Sequence, residues 1–255
     1  ILKIKNKEID KDKKLVAEQL AYRNLNKIFL KAPQLNVNGN EKVVIFSDLH
    51  LGNGGRGDDF KKNSSLFKFV LENYYLHNKY KLVLNGDIED LYKFPIKKVV
   101  RAWPKVFELF NKFRYRDDLY KIVGNHDYEL VDLKYPDINK NILRGLKLSF
   151  KNDTIFVYHG HQTSDFFDTY NKLSVYIVRF IVNPFKIKNT TFTLNSKKVF
   201  NTELRSYKFA SSNKIISIIG HTHKPLFESL SKKDDLSYRI ENLIRRYPSE
   251  KKKKK

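Results

Sequence analysis

The chain has 255 residues, a formal net charge of +22, and neither Cys nor Met. That length suits one medium domain, or one domain with a modest insertion. The lack of Cys excludes disulfides, thiolate metal sites and a Cys nucleophile, and no apolar run reaches the ~18 residues that cross a bilayer. The charge invites a nucleic-acid reading, but the Lys residues are spread along the chain and five of them form the tail 251–255, a pattern of solvated surface.

Residues 8 to about 31 carry an amphipathic pattern, with Val16, Leu20, Ile28 and Phe29 among its apolar positions and Pro33 ending it. This predicts a packing helix within an N-terminal extension over 1–40. Short apolar runs rich in β-branched residues follow at 43–46, 81–84, 119–123, 154–158 and 215–219. Each is too short for a typical helix and reads as a buried strand. Helical stretches at 65–77 and 103–113 alternate with them, which predicts an α/β domain over 41–248. Within it, 162–214 is long for a connection. Its first half reads as a helix from 165 to 182, ended by Asn183-Pro184, and the segment is expected to be a helical cap-like insertion. A last helix is expected over 234–247, stopped by Pro248, before a basic tail at 249–255.

Every one of the five predicted strands runs into a turn bearing metal-ligating side chains. The turns are Ser47-Asp48-Leu49-His50, Asn85-Gly86-Asp87-Ile88-Glu89-Asp90, Gly124-Asn125-His126-Asp127, His159-Gly160-His161 and Gly220-His221-Thr222-His223. Six of the seven His residues lie in them. Ligand sites in α/β folds form at the carboxyl ends of strands, where the turns converge. Asp48 and His50, like His221 and His223, are two residues apart and project to one side. Asp87 has two oxygens and can bridge two cations; Asn125 offers a neutral oxygen. His159 directly follows its strand and precedes Gly160, which favours it over His161 as a ligand. His161 would then orient a ligand or the substrate. Asp127 reads as structural, and Trp103-Pro104 as a helix start with an anchoring aromatic. The loop 52–59 either contacts substrate, with Arg56 as a phosphate clamp, or has no direct role.

Oxygen and imidazole donors suit Mn, Fe, Zn or Mg. Two divalent ions set against Asp48, Asp87 and one bridging hydroxide leave a charge of about +1, an electropositive centre suited to a phosphate ester.

The order Asp-x-His, Gly-Asp-x-x-Asp, Gly-Asn-His-Asp, His-Gly, Gly-His-x-His resembles that of the calcineurin-like metallophosphoesterases and spans about residues 43 to 226. The resemblance implies a four-layer sandwich with two central β-sheets flanked by helices. It also implies two divalent metal ions, with Mn the first expectation. Asp48, His50, Asp87 and His223 would hold the first ion, and Asp87, Asn125, His159 and His221 the second. His126 would be the catalytic His and Asp90 the residue that orients it. Protein phosphatases of this family carry Arg where this chain has Leu91, which argues against a protein phosphatase. Ser47-Asp48-Leu49-His50-Leu51 and His221-Thr222-His223-Lys224-Pro225 look closer to the branch that includes UDP-2,3-diacylglucosamine pyrophosphatases, although that branch often has Arg at the position of His126.

The expected partner is a phosphorylated small molecule or a lipid-linked phosphate compound, with a nucleic-acid phosphodiester as the alternative. A cytoplasmic protein is expected, with peripheral membrane contact compatible with the apolar run at 175–182.

Overall fold

Two four-stranded sheets carry the turns identified above. In this computed structural model the described residues are 2–132, 141–164, 196–223 and 240. The chain divides into two compact units, Ile1–Thr222 and His223–Lys255. Of the second, only His223 and Ile240 are described.

The first sheet contains β2 (Val43–Phe46), β3 (Lys81–Asn85), β4 (Leu119–Ile122) and β5 (Ile142–Leu143), all parallel and in that order. The second has the order β1 (Gln34–Asn36), β6 (Leu146–Phe150), β7 (Asp153–Val157) and β8 (Ile216–Ile218). There β6 and β7 are antiparallel, while β1 runs parallel to β6 and β8 parallel to β7. All five strands expected from apolar runs are present, with ends moved by a residue or two.

Alternation along each strand divides the core into layers. Val83, Ile122, Leu146, Leu148 and Val157 pack between the sheets. Leu82 and Leu84 point the other way, onto a layer that includes α2 (Ser64–Val70), α3 (Ile96–Ala102) and α4 (Pro104–Tyr115). The stretch expected as one helix at 65–77 is α2 continued by a wider π turn, Leu71–Leu76. On the second sheet Phe156 and Tyr158 face outward and meet Leu25, Ile28 and Ala32 of α1 (Leu2–Lys31) and Phe209 of α5 (Ser196–Asn213). The result is helix, sheet, sheet, helix. Each fully buried aliphatic side chain in these layers contributes about 1.5–3 kcal/mol.

Two expectations change. Val16 was expected on the apolar face of α1 but is 63% exposed, because the buried stripe is Ala21, Leu25, Ile28 and Ala32. Residues before 41 are built into the sandwich rather than extending from it: α1 covers the second sheet and β1 forms its edge strand. In the second half of the 162–214 segment, α5 lies in the outer layer with Phe209 fully buried against Phe156 and Leu25. The helix expected at 165–182 falls outside the described residues, as does that at 234–247 apart from Ile240.

Candidate metal centre

Parallel pairing brings the turns after β2, β3 and β4 to one end of the first sheet, and the ends of β7 and β8 meet them there. The turns stay hydrogen-bonded beyond the strands: Asp48 N donates to Gly86 O at 3.1 Å, His50 N to Asp87 O at 3.0 Å and Gly220 N to His159 O at 2.9 Å. Asn85 joins the two sheets. Its Nδ2 donates to Tyr158 O at 3.1 Å, and its carbonyl accepts from His159 Nδ1 at 2.9 Å. That second bond fixes the tautomer of His159 and directs Nε2 into the site.

The turns close at a conformational cost. Asp48, His50, Asp87 and His221 all take left-handed backbone angles, with φ of 56°, 50°, 52° and 70°. Non-glycine residues pay roughly 1–2 kcal/mol for that conformation, and such strain clusters at functional sites. Gly86 has φ of +80°, and a Cβ there would stand 2.5 Å from His159 Nδ1 and 2.8 Å from Gly124 Cα. Only glycine lets these turns approach so closely.

Asp87 Oδ2 is the hub. It lies 3.2 Å from His159 Nε2, 4.0 Å from His50 Nε2 and 4.0 Å from His126 Nε2. Asp87 Oδ1 accepts from His126 N at 2.7 Å. Asp48 Oδ1 is 4.0 Å from both His50 Nε2 and His159 Nε2, and the Asp48 carboxylate accepts from His221 N at 3.0 and 3.2 Å. Donor atoms of Asp87, His159 and His221 lie within 4.8 Å of one another, as do those of His50, Asp90 and His126. Asn125 Oδ1, in the turn after β4, is buried and accepts no hydrogen bond. An orphaned carbonyl oxygen in a turn whose next residue, His126, donates its N–H to Asp87 is what a divalent cation would satisfy, so the donor set fits metal binding. His161 is buried in the short 3-10 turn that follows, its ring 5.4 Å from that of His159. His159, not His161, belongs to the donor group with Asp87. His223 begins the second unit.

Charge is strongly organised. Burial pushes the Asp87 carboxyl up, but His159, His126 and His50 outweigh it and hold it well below the usual carboxylate range. Burial lowers His159, yet the adjacent Asp87 raises it to about 9; burial and then His159 push His221 down to about 3. The two aspartates thus call for positive charge at this end of the sandwich.

His126 lies beside the hub with its own support. Its Nδ1 is 2.9 Å from Asp90 Oδ1, and the other Asp90 oxygen pairs with Lys93 Nζ at 2.8 Å. Lys93 also reaches Asp59 at 3.3 Å, tying the glycine-rich loop to this chain of contacts. Asp127 is structural: its fully buried carboxylate accepts from Gly124 N at 2.6 Å and Ile88 N at 2.8 Å. Burial, then Glu89 and Asp87, raise it to about 7. In the glycine-rich loop, Asp58 accepts from Gly54 N at 2.7 Å and from Trp103 Nε1 at 3.0 Å, so both residues organise the loop. Sequence reading did not single out Asn85 or Lys93. The signal for Asn85 was an amide at the end of an otherwise apolar strand; Lys93 had none.

Carboxylates, imidazoles and one amide oxygen converging at strand ends of an α/β sandwich define a metal-dependent hydrolase. The calcineurin-like phosphoesterase family matches residues 41–247, and the chain belongs to that family of metal-dependent phosphoesterases. No curated protein matches the chain.

Proposed function

We propose that the protein is a binuclear phosphoesterase cleaving a phosphomonoester, phosphodiester or pyrophosphate bond in a small or lipid-linked substrate. The observation that carries this is Asp87, whose carboxylate lies within 4.0 Å of three imidazoles and accepts from His126 N, while Asn125, the residue before His126, offers a buried unpaired oxygen. Asp48, His50 and Asp87 would hold one ion, and Asp87, Asn125, His159 and His221 the other, with Mn the first candidate. Such ions would acidify a water and hold phosphoryl oxygens.

The chain's own groups account for the rest. Asn85 orients His159, and Asp48 is held by His221 N and lies 2.6 Å from Ser47 Oγ. His126 donates Nδ1–H to Asp90, which turns Nε2 toward Asp87. From there Nε2 would deliver a proton to the leaving-group oxygen, so His126 is the catalytic residue and Asp90 positions it. Two motifs, Ser47-Asp48-Leu49-His50-Leu51 and His221-Thr222-His223-Lys224-Pro225, support the branch that includes UDP-2,3-diacylglucosamine pyrophosphatases. No described helix is long and apolar enough to cross a membrane, and peripheral contact would suit a lipid-linked substrate.

The test is a screen with Mn over p-nitrophenyl phosphate, bis-p-nitrophenyl phosphate, UDP-sugars, cyclic nucleotides and single-stranded DNA. Turnover of a small ester or UDP-sugar supports the proposal. Turnover confined to DNA would replace it with a nuclease, and no turnover of any of them would refute it.

A further inference from the structure

A cavity of about 500 Å³ opens between the C-terminal turn of α1 and the β5–β6 connection. Ile28, Ala32 and Leu143 contribute apolar surface, and Lys27, Lys31 and Arg144 contribute three cations; among the described residues no carboxylate lines it. All three cations are exposed, whereas Ile28 and Ala32 are buried. The lysines complement the carbonyl end of α1, but that does not account for Arg144, which comes from a separate segment and faces the same space.

The cavity lies at the metal-centre end of the sandwich. β5 runs parallel to β4, so Leu143 ends where the ligand turns begin. β6 runs antiparallel to β7, so Leu146 sits opposite Val157, two residues before His159. A line of contacts joins the two places. Arg144 donates to Tyr128 Oη at 2.9 Å, with its guanidinium 5.6 Å from that ring; the Tyr128 ring is 6.3 Å from His161, and His161 is 5.4 Å from His159.

We propose that this cavity is a second binding site, for an organic dianion with an apolar body, held by Lys27, Lys31 and Arg144 over Ile28, Ala32 and Leu143. The anion comes either from the far end of the substrate or from a separate ligand; the chemistry is the same. The site stands on the cavity alone and does not depend on the phosphoesterase reading. Opposite charges brought together at a partly enclosed, low-dielectric surface bind more tightly than in open water, and the apolar body would cover the floor.

The probe is naphthalene-1,5-disulfonate, whose sulfonates are poor metal ligands, titrated calorimetrically into the metal-loaded full chain. One equivalent should bind. Lys31→Ala with Arg144→Ala should weaken binding at least tenfold, while Lys31→Arg should keep it and both variants should retain the wild-type melting temperature. Equal affinity for the wild type and the double variant, or no saturable binding, would overturn the proposal. The source is read from kinetics on p-nitrophenyl phosphate and on a phosphate ester carrying a distal carboxylate. A rise in KM for the second substrate alone, in the double variant, assigns the cavity to the substrate's own second anion. Unchanged KM for both, with disulfonate binding lost, assigns it to a separate anion.

Discussion

Asp90 Oδ1 lies 2.9 Å from His126 Nδ1, and Asp90 Oδ2 lies 2.8 Å from Lys93 Nζ, so one buried carboxylate aims the imidazole and is itself fixed by a cation. Nothing in this arrangement requires His126 to hold metal. His126→Ala should therefore keep its metal while kcat falls by about 100-fold or more, the usual size for a general acid. Asp90→Asn should lose less, because the ring is misaimed rather than removed. Steady-state kinetics with metal analysis on the same samples check this. Metal lost in step with activity in His126→Ala would make His126 a ligand.

Gly86→Ala should be more damaging than its one added methyl suggests. The position has φ of +80°, and the new carbon would meet the His159 ring and the Gly124 backbone. Both neighbours are fixed, so the turn must open. Metal affinity should drop at least tenfold, with a lower melting temperature, measured by metal titration and thermal unfolding.

Lys121 and Glu89 form a buried pair at 2.5 Å, with side chains 6% and 0% exposed. Lys121→Met leaves the Glu89 charge buried and unpaired, which should cost about 3–5 kcal/mol. Adding Glu89→Leu should recover most of that loss, since a matched apolar pair avoids the desolvation of both charges. Urea unfolding of the wild type, single and double variants decides it; a double variant no more stable than the single would show that packing, not charge, sets the cost.

Trp103 Nε1 is shared between Asp58 Oδ2 at 3.0 Å and Gly52 O at 3.1 Å, while its ring packs edge-on against Phe60. Trp103→Phe keeps the ring but removes the donor. Stability should fall by about 1–2 kcal/mol, and limited proteolysis within 52–58 should accelerate. Unchanged cleavage would mean that Asp58 alone holds the loop.

The site was legible because each ligand turn directly follows an apolar strand, so a one-dimensional pattern already encodes the convergence of Asp48, Asp87, Asn125, His159 and His221 at one end. The strands β2, β3, β4, β7 and β8 were legible for the same reason. β1 and β5 were not: Gln34–Asn36 and Ile142–Leu143 are too short to carry a period. β6 carried a usable alternation, with Leu146 and Leu148 buried and Lys147 and Ser149 less so, but its apolar residues never form a run. The sequence of α5 is polar, and its docking depends on Phe209 meeting partners more than 50 and 180 residues away, Phe156 and Leu25. Such contacts leave no local trace. The second cation on Asp90 was hidden likewise, because Lys93 looks like any surface lysine until the turn brings it round.

The central claim is that one residue, Asp87, serves two metal ions. The most direct measurement is elemental analysis of the Mn-loaded chain, comparing the wild type with Asp87→Ala after removal of excess metal. The account predicts two ions per wild-type chain and loss of both in Asp87→Ala, with phosphoesterase activity falling to background. Two ions retained by Asp87→Ala, or no bound ion in the wild type, would contradict it.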